Sequence, residues 1–240
     1  MHGAIALETY LRRHDQAQLL GVRLCFHKSA RIVTSLVLAS ASPARRMLLA
    51  NAGVTPQIVV SHVDEEALAA SLTPIAPIDL CLELARAKAR DVAQHFSASD
   101  DVVIVGCDSI LDVDGIAHGK PGNAEAAKAR WHQMSGRSGF LRTGHWLIQP
   151  STGLELGEVA SSEVFHASPS EAEIDAYIAT GEPLQVAGGF TLDSLGGPFI
   201  EKIIGDPSNV VGLSLPLLRL LLIQFGVTWT DLWSGLPVDG

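Results

Sequence analysis

Cysteine is scarce: Cys25, Cys81 and Cys107 are odd in number and far apart, with no CxxC pair. That excludes a disulfide framework and a structural zinc site, and it points to a reducing compartment, so the chain is expected in the cytoplasm. Long apolar runs are missing too, since none approaches the roughly 18 residues that span a bilayer. Glu8, Arg12, Arg13, His14 and Asp15 interrupt the first residues, which is not the charged-then-apolar order of a secretory signal. An excess of positive charge is also absent. With 17 Lys and Arg against 26 Asp and Glu the formal net charge is −9, which argues against a general nucleic-acid-binding surface. A small anionic substrate is still admitted, provided its cations are gathered locally. Internal repeats, low-complexity tracts and ligand-spaced histidines are lacking as well, so the nine histidines receive no role.

What is present is a chain of 240 residues, 47% hydrophobic and 18% charged, enough to bury one core or one core divided into two lobes around a cleft. Residues 1–34 look detached from the remainder of the chain and are expected to form a poorly ordered N-terminal extension, with the true start near Val33. The main domain is expected over 35–228, with a tail at 229–240. Within it β and α signals alternate. A buried strand at 36–40 runs into a helix with Ser42 as N-cap and Pro43 at its first position, closing near Gly53. A strand is expected at 57–63, a long amphipathic helix at 78–96, and a central strand at 102–107 that is apolar on both faces. Asp112 to Gly115 is a turn, and the next helix covers 123–134. Strands at 139–149 and 155–166 flank the turn at 150–153. A short helix at 170–179, glycine-rich strands across 186–204 and a leucine-rich helix at 208–225 complete an α/β protein with a mixed, partly antiparallel sheet.

Three charge placements break local rules, and such violations tend to mark function. Arg45 and Arg46 occupy the first turn of a helix, where the dipole favours anions and disfavours cations. With Ser40 and Ser42 beside them they make sense if a phosphate sits there; the bland alternative is that both snorkel to solvent or pair with a distant acid. Lys88 lies opposite the polar stripe of Asp79, Glu83, Arg86 and Arg90 on its helix, so it meets either a buried carboxylate or an anionic ligand. Asp108 ends the apolar central strand, where a carboxylate needs hydrogen bonds, a lysine or a metal to compensate its burial. It is the best candidate for a general base or metal ligand, against a bland role in starting a hairpin. Lys120 sits in the tight turn Gly119-Lys120-Pro121, either facing phosphate or merely exposed. The stretch from Gly115 to Lys120 is no P-loop, because the glycine spacing is wrong and Pro121 replaces the Ser/Thr.

From Leu36 to about Phe225 the chain resembles the Maf family. The resemblance rests on Leu38-Ala39-Ser40-Ala41-Ser42-Pro43-Ala44-Arg45-Arg46, on Val63-Asp64-Glu65, and on Leu84-Ala85-Arg86-Ala87-Lys88-Ala89. It continues through Gly106-Cys107-Asp108-Ser109, Gly119-Lys120-Pro121, Tyr177-Ile178-Ala179-Thr180-Gly181-Glu182-Pro183, Ala187-Gly188-Gly189-Phe190, Gly205-Asp206 and Asn209-Val210-Val211-Gly212-Leu213. It implies an elongated α/β fold related to the inosine-triphosphate pyrophosphatases, with two lobes around a central cleft. It also implies hydrolysis of nucleoside triphosphates to the monophosphate and pyrophosphate with magnesium or manganese.

Carried over by position, the resemblance makes Asp108 the proton acceptor that activates water. Ser42, Arg45, Arg46, Lys88 and Lys120 would hold the triphosphate, and Glu65 with Asp108 would bind the metal. It further implies a nucleotide substrate, no nucleic acid or membrane partner, compatibility with a homodimer, and a house-cleaning role linked to cell-division arrest. Ala44, Ser109 and Asp193 are specificity positions. Relatives preferring dTTP or UTP resemble one another in arginine, threonine and glutamine there, whereas Ala44 and Asp193 look more like the branch linked to methylated guanine nucleotides. The preferred base stays open. Two other readings remain: a nucleotide-binding regulator of septum formation with little turnover, and a phosphatase releasing orthophosphate.

Overall fold

The spine of the molecule is the long strand β3 (Val102–Val113), whose first half is buried on both faces. A computed structural model describes residues 35–233. Around β3 stand β1 (Ser35–Ala39), β2 (Gln57–Ile58), β4 (Ile116–His118), β5 (Ser138–Gln149), β6 (Leu154–His166) and β7 (Ile200–Ile204). They form one mixed sheet in the order β2-β1-β3-β5-β6-β7, with β4 pairing β3 outside that path. Pairing is parallel between β1 and its neighbours β2 and β3, and antiparallel from β3 through β5, β6 and β7.

Seven helices are found among the described residues: α1 (Pro43–Asn51), α2 (Glu65–Ser71), α3 (Pro77–Ala93), α4 (Ala124–Met134), α5 (Glu171–Ala179), α6 (Pro207–Val211) and α7 (Leu215–Gln224). Their starts obey the local chemistry. Ser42 caps α1 by accepting from the Arg45 amide, Asn123 caps α4, and Ser170 with Glu173 makes a reciprocal capping box on α5. Helix α3 buries Cys81, Leu84, Ala85, Lys88, Ala89 and Val92, so Lys88 does lie on the inward face. Two glycines let α3 lie directly on the sheet. A Cβ on Gly106 would stand 2.3 Å from the Ala85 carbonyl oxygen, and one on Gly144 2.3 Å from that of Cys81.

Two main apolar clusters divide the sheet lengthwise. One joins Leu36, Leu38, Leu49, Val103, Val105 and Leu147 to Leu218 and Leu222 of α7. The other joins Leu111 and Leu141 to Trp131, Met134, Ile174 and Tyr177. Each fully buried side chain of this size stabilises by roughly 1.5–3 kcal/mol, so both ends of the sheet are firmly anchored.

Several expectations are corrected. Strand β3 does not stop at Asp108, because its antiparallel pairing with β5 runs on to Asp112↔Phe140. It ends instead in a two-residue hairpin loop with Asp114 at φ 53° and Gly115 at φ 80°, the twist that a tight Asp-Gly hairpin requires. The strand expected at 57–63 shrinks to two residues, since β1, its only partner among the described residues, turns away into α1 after Ala39. The glycine-rich stretch 186–204 is bends, turns and two short 3-10 segments, with strand only at β7, and Gly188 and Gly189 adopt φ 75° and 78°. The leucine-rich helix is two helices, broken where Gly212 takes φ 131° and Ser214 caps α7.

The expectation for residues 1–34 falls outside the described residues. At the other end Trp229 and Trp233 both donate their indole N–H to the Ala52 carbonyl, at 3.3 and 3.1 Å, so packed chain continues beyond 228. No helix among the described residues is long and apolar enough to cross a membrane.

Candidate active site

The site arises where two strands part. Pairing between β1 and β3 ends at Ala39↔Gly106, two residues before Asp108. Beyond that point β1 turns through Ser40-Ala41-Ser42 into α1 while β3 continues. The divergence opens a cleft of about 790 Å3, lined on one side by Ser40 to Arg45 and on the other by Asp108 and Ser109.

On the cleft floor Lys88 reaches over from α3. Its Nζ lies 2.6 Å from Asp108 Oδ1 and 2.9 Å from Glu65 Oε2. Lys88 and Asp108 are each only 8% exposed, while the Glu65 side chain is 45% exposed at the start of α2. Burial pushes the Asp108 carboxyl above the usual range, opposed by the charge and hydrogen bond of Lys88. Glu65 is pulled the other way. Burial lifts it, but the charge and hydrogen bond of Lys88, with the charge of Lys120, hold it below its ordinary value. Two carboxylates thus share one ammonium, which leaves the group short of positive charge.

That arrangement fits a hard divalent cation. Both donors are carboxylate oxygens, and Mg2+ characteristically takes one or two carboxylates, with waters and substrate phosphates completing its shell. No group of three or more His, Cys, Asp or Glu able to hold a metal exists among the described residues.

Arg45 is buried, but not as a free cation. Its Nε donates to the Gly212 carbonyl at 2.7 Å, Nη1 to Ser40 Oγ at 3.0 Å and Nη2 to Ser109 Oγ at 3.0 Å. Ser109 shares a hydrogen bond with Thr143 at 2.9 Å, and Thr143 donates to the Asn209 carbonyl at 3.3 Å. Three of the five guanidinium N–H groups are therefore committed to the protein, and two remain for a ligand. Arg45 ties the start of α1 to β3 and to the break between α6 and α7.

Most of the sequence-predicted residues converge. Ser42, Ala44, Arg45, Glu65, Lys88, Asp108, Ser109, Lys120 and Asp193 all line the one cleft. Lys120 is exposed at its edge, on a loop held by the Gly119 carbonyl, which accepts from the Gly188 amide at 3.2 Å and from Arg130. Arg46 is not brought there; it is exposed on α1 and absent from the cleft wall. Sequence reasoning missed Thr143, the Asn209 carbonyl and the Gly212 carbonyl as partners of this network. Only the presence of polar residues in apolar surroundings hints at the first two.

His145 stays without a ligand role. It is fully buried, its Nδ1 lies 3.0 Å from the Thr143 carbonyl, and its Nε2 accepts from the Ser214 amide at 2.9 Å. These partners select the neutral ring protonated at Nδ1. Burial, aided by the charge of Arg45, pushes its pKa down to about 4. Cys81 and Cys107 are free, buried thiols, pushed up by burial to about 12 and about 11.

Residues 35–225 match the profile of a family described as Maf-like protein. A nucleoside triphosphate pyrophosphatase of Rhodococcus opacus is 51% identical over 208 residues, covering 84% of this chain and 97% of that protein. Proteins of the same name from Streptomyces coelicolor and Thermosynechococcus vestitus are each 52% identical, over 199 and 195 residues. These cover 83% and 81% of this chain, and 94% and 96% of their own length.

Proposed function

Because the chain belongs to the Maf-like protein family, we propose that it is a nucleoside triphosphate pyrophosphatase, cutting the α–β anhydride to release pyrophosphate and leave the monophosphate. The observation that carries this reading is the convergence of Asp108 and Glu65 on Lys88, in a cleft that also holds Lys120 and the start of α1.

In this reading the polyphosphate lies between the amino end of α1 and Lys120. The two uncommitted N–H groups of Arg45, the Ser42 hydroxyl and the helix dipole meet its oxygens. Lys88 turns from the carboxylates toward the phosphates as they arrive. Asp108, whose carboxyl burial lifts above the usual range, takes the proton of the attacking water. Glu65 and Asp108 would hold Mg2+ or Mn2+, which when bound would supply charge neutralisation to the phosphates. Ala44, Ser109 and Asp193 set the base preference. The free, buried thiols support a cytoplasmic setting, and house-cleaning of unwanted nucleotides with a link to division arrest belongs to the same reading.

The test is a panel of common and modified nucleoside triphosphates with Mg2+ or Mn2+, scoring pyrophosphate against orthophosphate. Pyrophosphate is expected, with Asp108→Asn losing about 10²–10⁴-fold in turnover. Orthophosphate release would favour a phosphatase, binding without turnover would favour the regulator, and an unimpaired Asp108→Asn would remove that residue from the mechanism.

A further inference from the structure

Away from the phosphate-facing end, one carboxylate gathers an unusual number of donors. Glu182, just after α5, accepts at Oε1 from the Tyr177 hydroxyl at 2.9 Å, the Thr191 hydroxyl at 2.5 Å and the Gly196 amide at 3.2 Å. At Oε2 it accepts from the Ser194 hydroxyl at 2.7 Å and the Leu195 amide at 3.4 Å. Four of these five donors belong to the loop 191–196. The fifth, Tyr177, also accepts the Thr191 amide at 3.2 Å, so Thr191 is tied to Glu182 both directly and through the phenol. Within the loop the Gly196 amide donates to Thr191 Oγ1 at 3.1 Å, and a Cβ on Gly196 would stand 2.6 Å from the Thr191 carbonyl oxygen and from Tyr177 Oη. The chain there is folded tightly around a single acceptor.

The same loop walls the cleft. Thr191, Leu192 and Asp193 line it, next to Phe190. Lys88, Lys120 and the α1 start serve a polyphosphate, whereas this wall presents Phe190, Leu192, a Thr191 whose hydroxyl is committed to Glu182, and one acid, which would repel phosphate. A nucleobase, which is flat, largely uncharged and bears N–H donors, is the part of the ligand suited to it. Glu182 itself does not line the cleft.

We propose that Glu182 is a positioning residue for base recognition: its carboxylate gathers the loop 191–196 and so holds Thr191, Leu192 and Asp193 against the nucleobase. This rests on the pyrophosphatase reading and adds to it a residue that acts through others. The acceptor must be ionised, because both oxygens receive donors only. Burial lifts the Glu182 carboxyl, but the hydrogen bonds of Thr191, Ser194, Tyr177 and Leu195 outweigh that and hold it below its ordinary value. A glutamine would set its NH2 against the Leu195 N–H, leaving a donor unpaired.

The experiment measures, with Mg2+ present, the binding of α,β-methylene triphosphate analogues of guanosine and uridine, and of inorganic tripolyphosphate, which has no base. In Glu182→Gln the nucleotide Kd is expected to rise about tenfold and the guanosine-to-uridine ratio to move toward unity, with tripolyphosphate within about twofold of wild type. Tyr177→Phe keeps the ring that packs edge-on against Trp131 at 5.8 Å and loses only the hydroxyl link, so it serves if the first variant folds poorly. Its Kd is expected to change in the same direction and by less. Equal weakening of all three ligands, or an unchanged base ratio in both variants, would overturn the proposal alone. A wild-type protein that bound tripolyphosphate as tightly as either nucleotide would overturn base recognition at this wall altogether, and no binding of any of the three would sink the pyrophosphatase reading with it.

Discussion

The Lys88 ammonium stands 2.6 Å from the Asp108 carboxylate, across a helix-to-strand contact in which Gly106 leaves no room for a side chain. Their separation is therefore set by backbone packing between α3 and β3. A buried pair held this way is costly to break from one side only, because the survivor keeps its charge without a partner.

Lys88→Met is accordingly expected to destabilise the fold by about 3 kcal/mol, read from denaturant midpoints at neutral pH. Asp108→Asn in the same chain should recover part of that loss, since the stranded charge is gone. Strict additivity of the two substitutions would mean that they do not interact.

Arg45→Lys is expected to be nearly as harmful to thermal stability as Arg45→Met. A lysine presents one point of charge and cannot serve the Gly212 carbonyl, Ser40 and Ser109 together. Losing two of these buried partners should cost about 2 kcal/mol. Full rescue by lysine would show that charge, and not the fork of donors, is what this position supplies.

Stability should also fall as the solution is acidified, through His145. Its folded value of about 4 lies below the ordinary 6.5. Above pH 6.5 both folded and unfolded chains carry it neutral and it contributes no slope. Between about 6.5 and 4 the unfolded chain takes up a proton that the folded one refuses, so stability drops by up to about 1.4 kcal/mol per unit. Unfolding midpoints compared at pH 7 and 5 for the wild type and His145→Gln should show a flatter dependence in the variant. Identical slopes would mean that the ring is not held neutral.

The residues of the cleft were legible wherever the signal was local. Ser42 and Pro43 announce a helix start within two positions, and Lys88 stands out because helical spacing puts it opposite its own polar stripe. Asp108 stands out because six apolar residues precede it. What stayed hidden depended on distant chain. Besides Ser40, the partners of Arg45 lie 167 and 64 positions away, so the local sequence does not distinguish a phosphate ligand from an internal tie. The run of β3 beyond Asp108 is dictated by β5, and β2 is cut short by β1 turning away. In 186–204 the left-handed conformations of Gly188 and Gly189 make turns where extended chain was expected.

The parting of β1 from β3 after Ala39↔Gly106 has a further consequence for how this chain can change. Only Ser40, Ala41 and Ser42 span the distance from the end of the ladder to Pro43, and the same three residues aim the helix and supply its cap and the Ser40 acceptor for Arg45. Adding or deleting one residue there would swing the helix axis and unseat Arg45 together. This short linker is thus frozen in length, and drift in loop size has to happen elsewhere, as in the open turn around Gly153, where an added Cβ meets nothing within 4 Å.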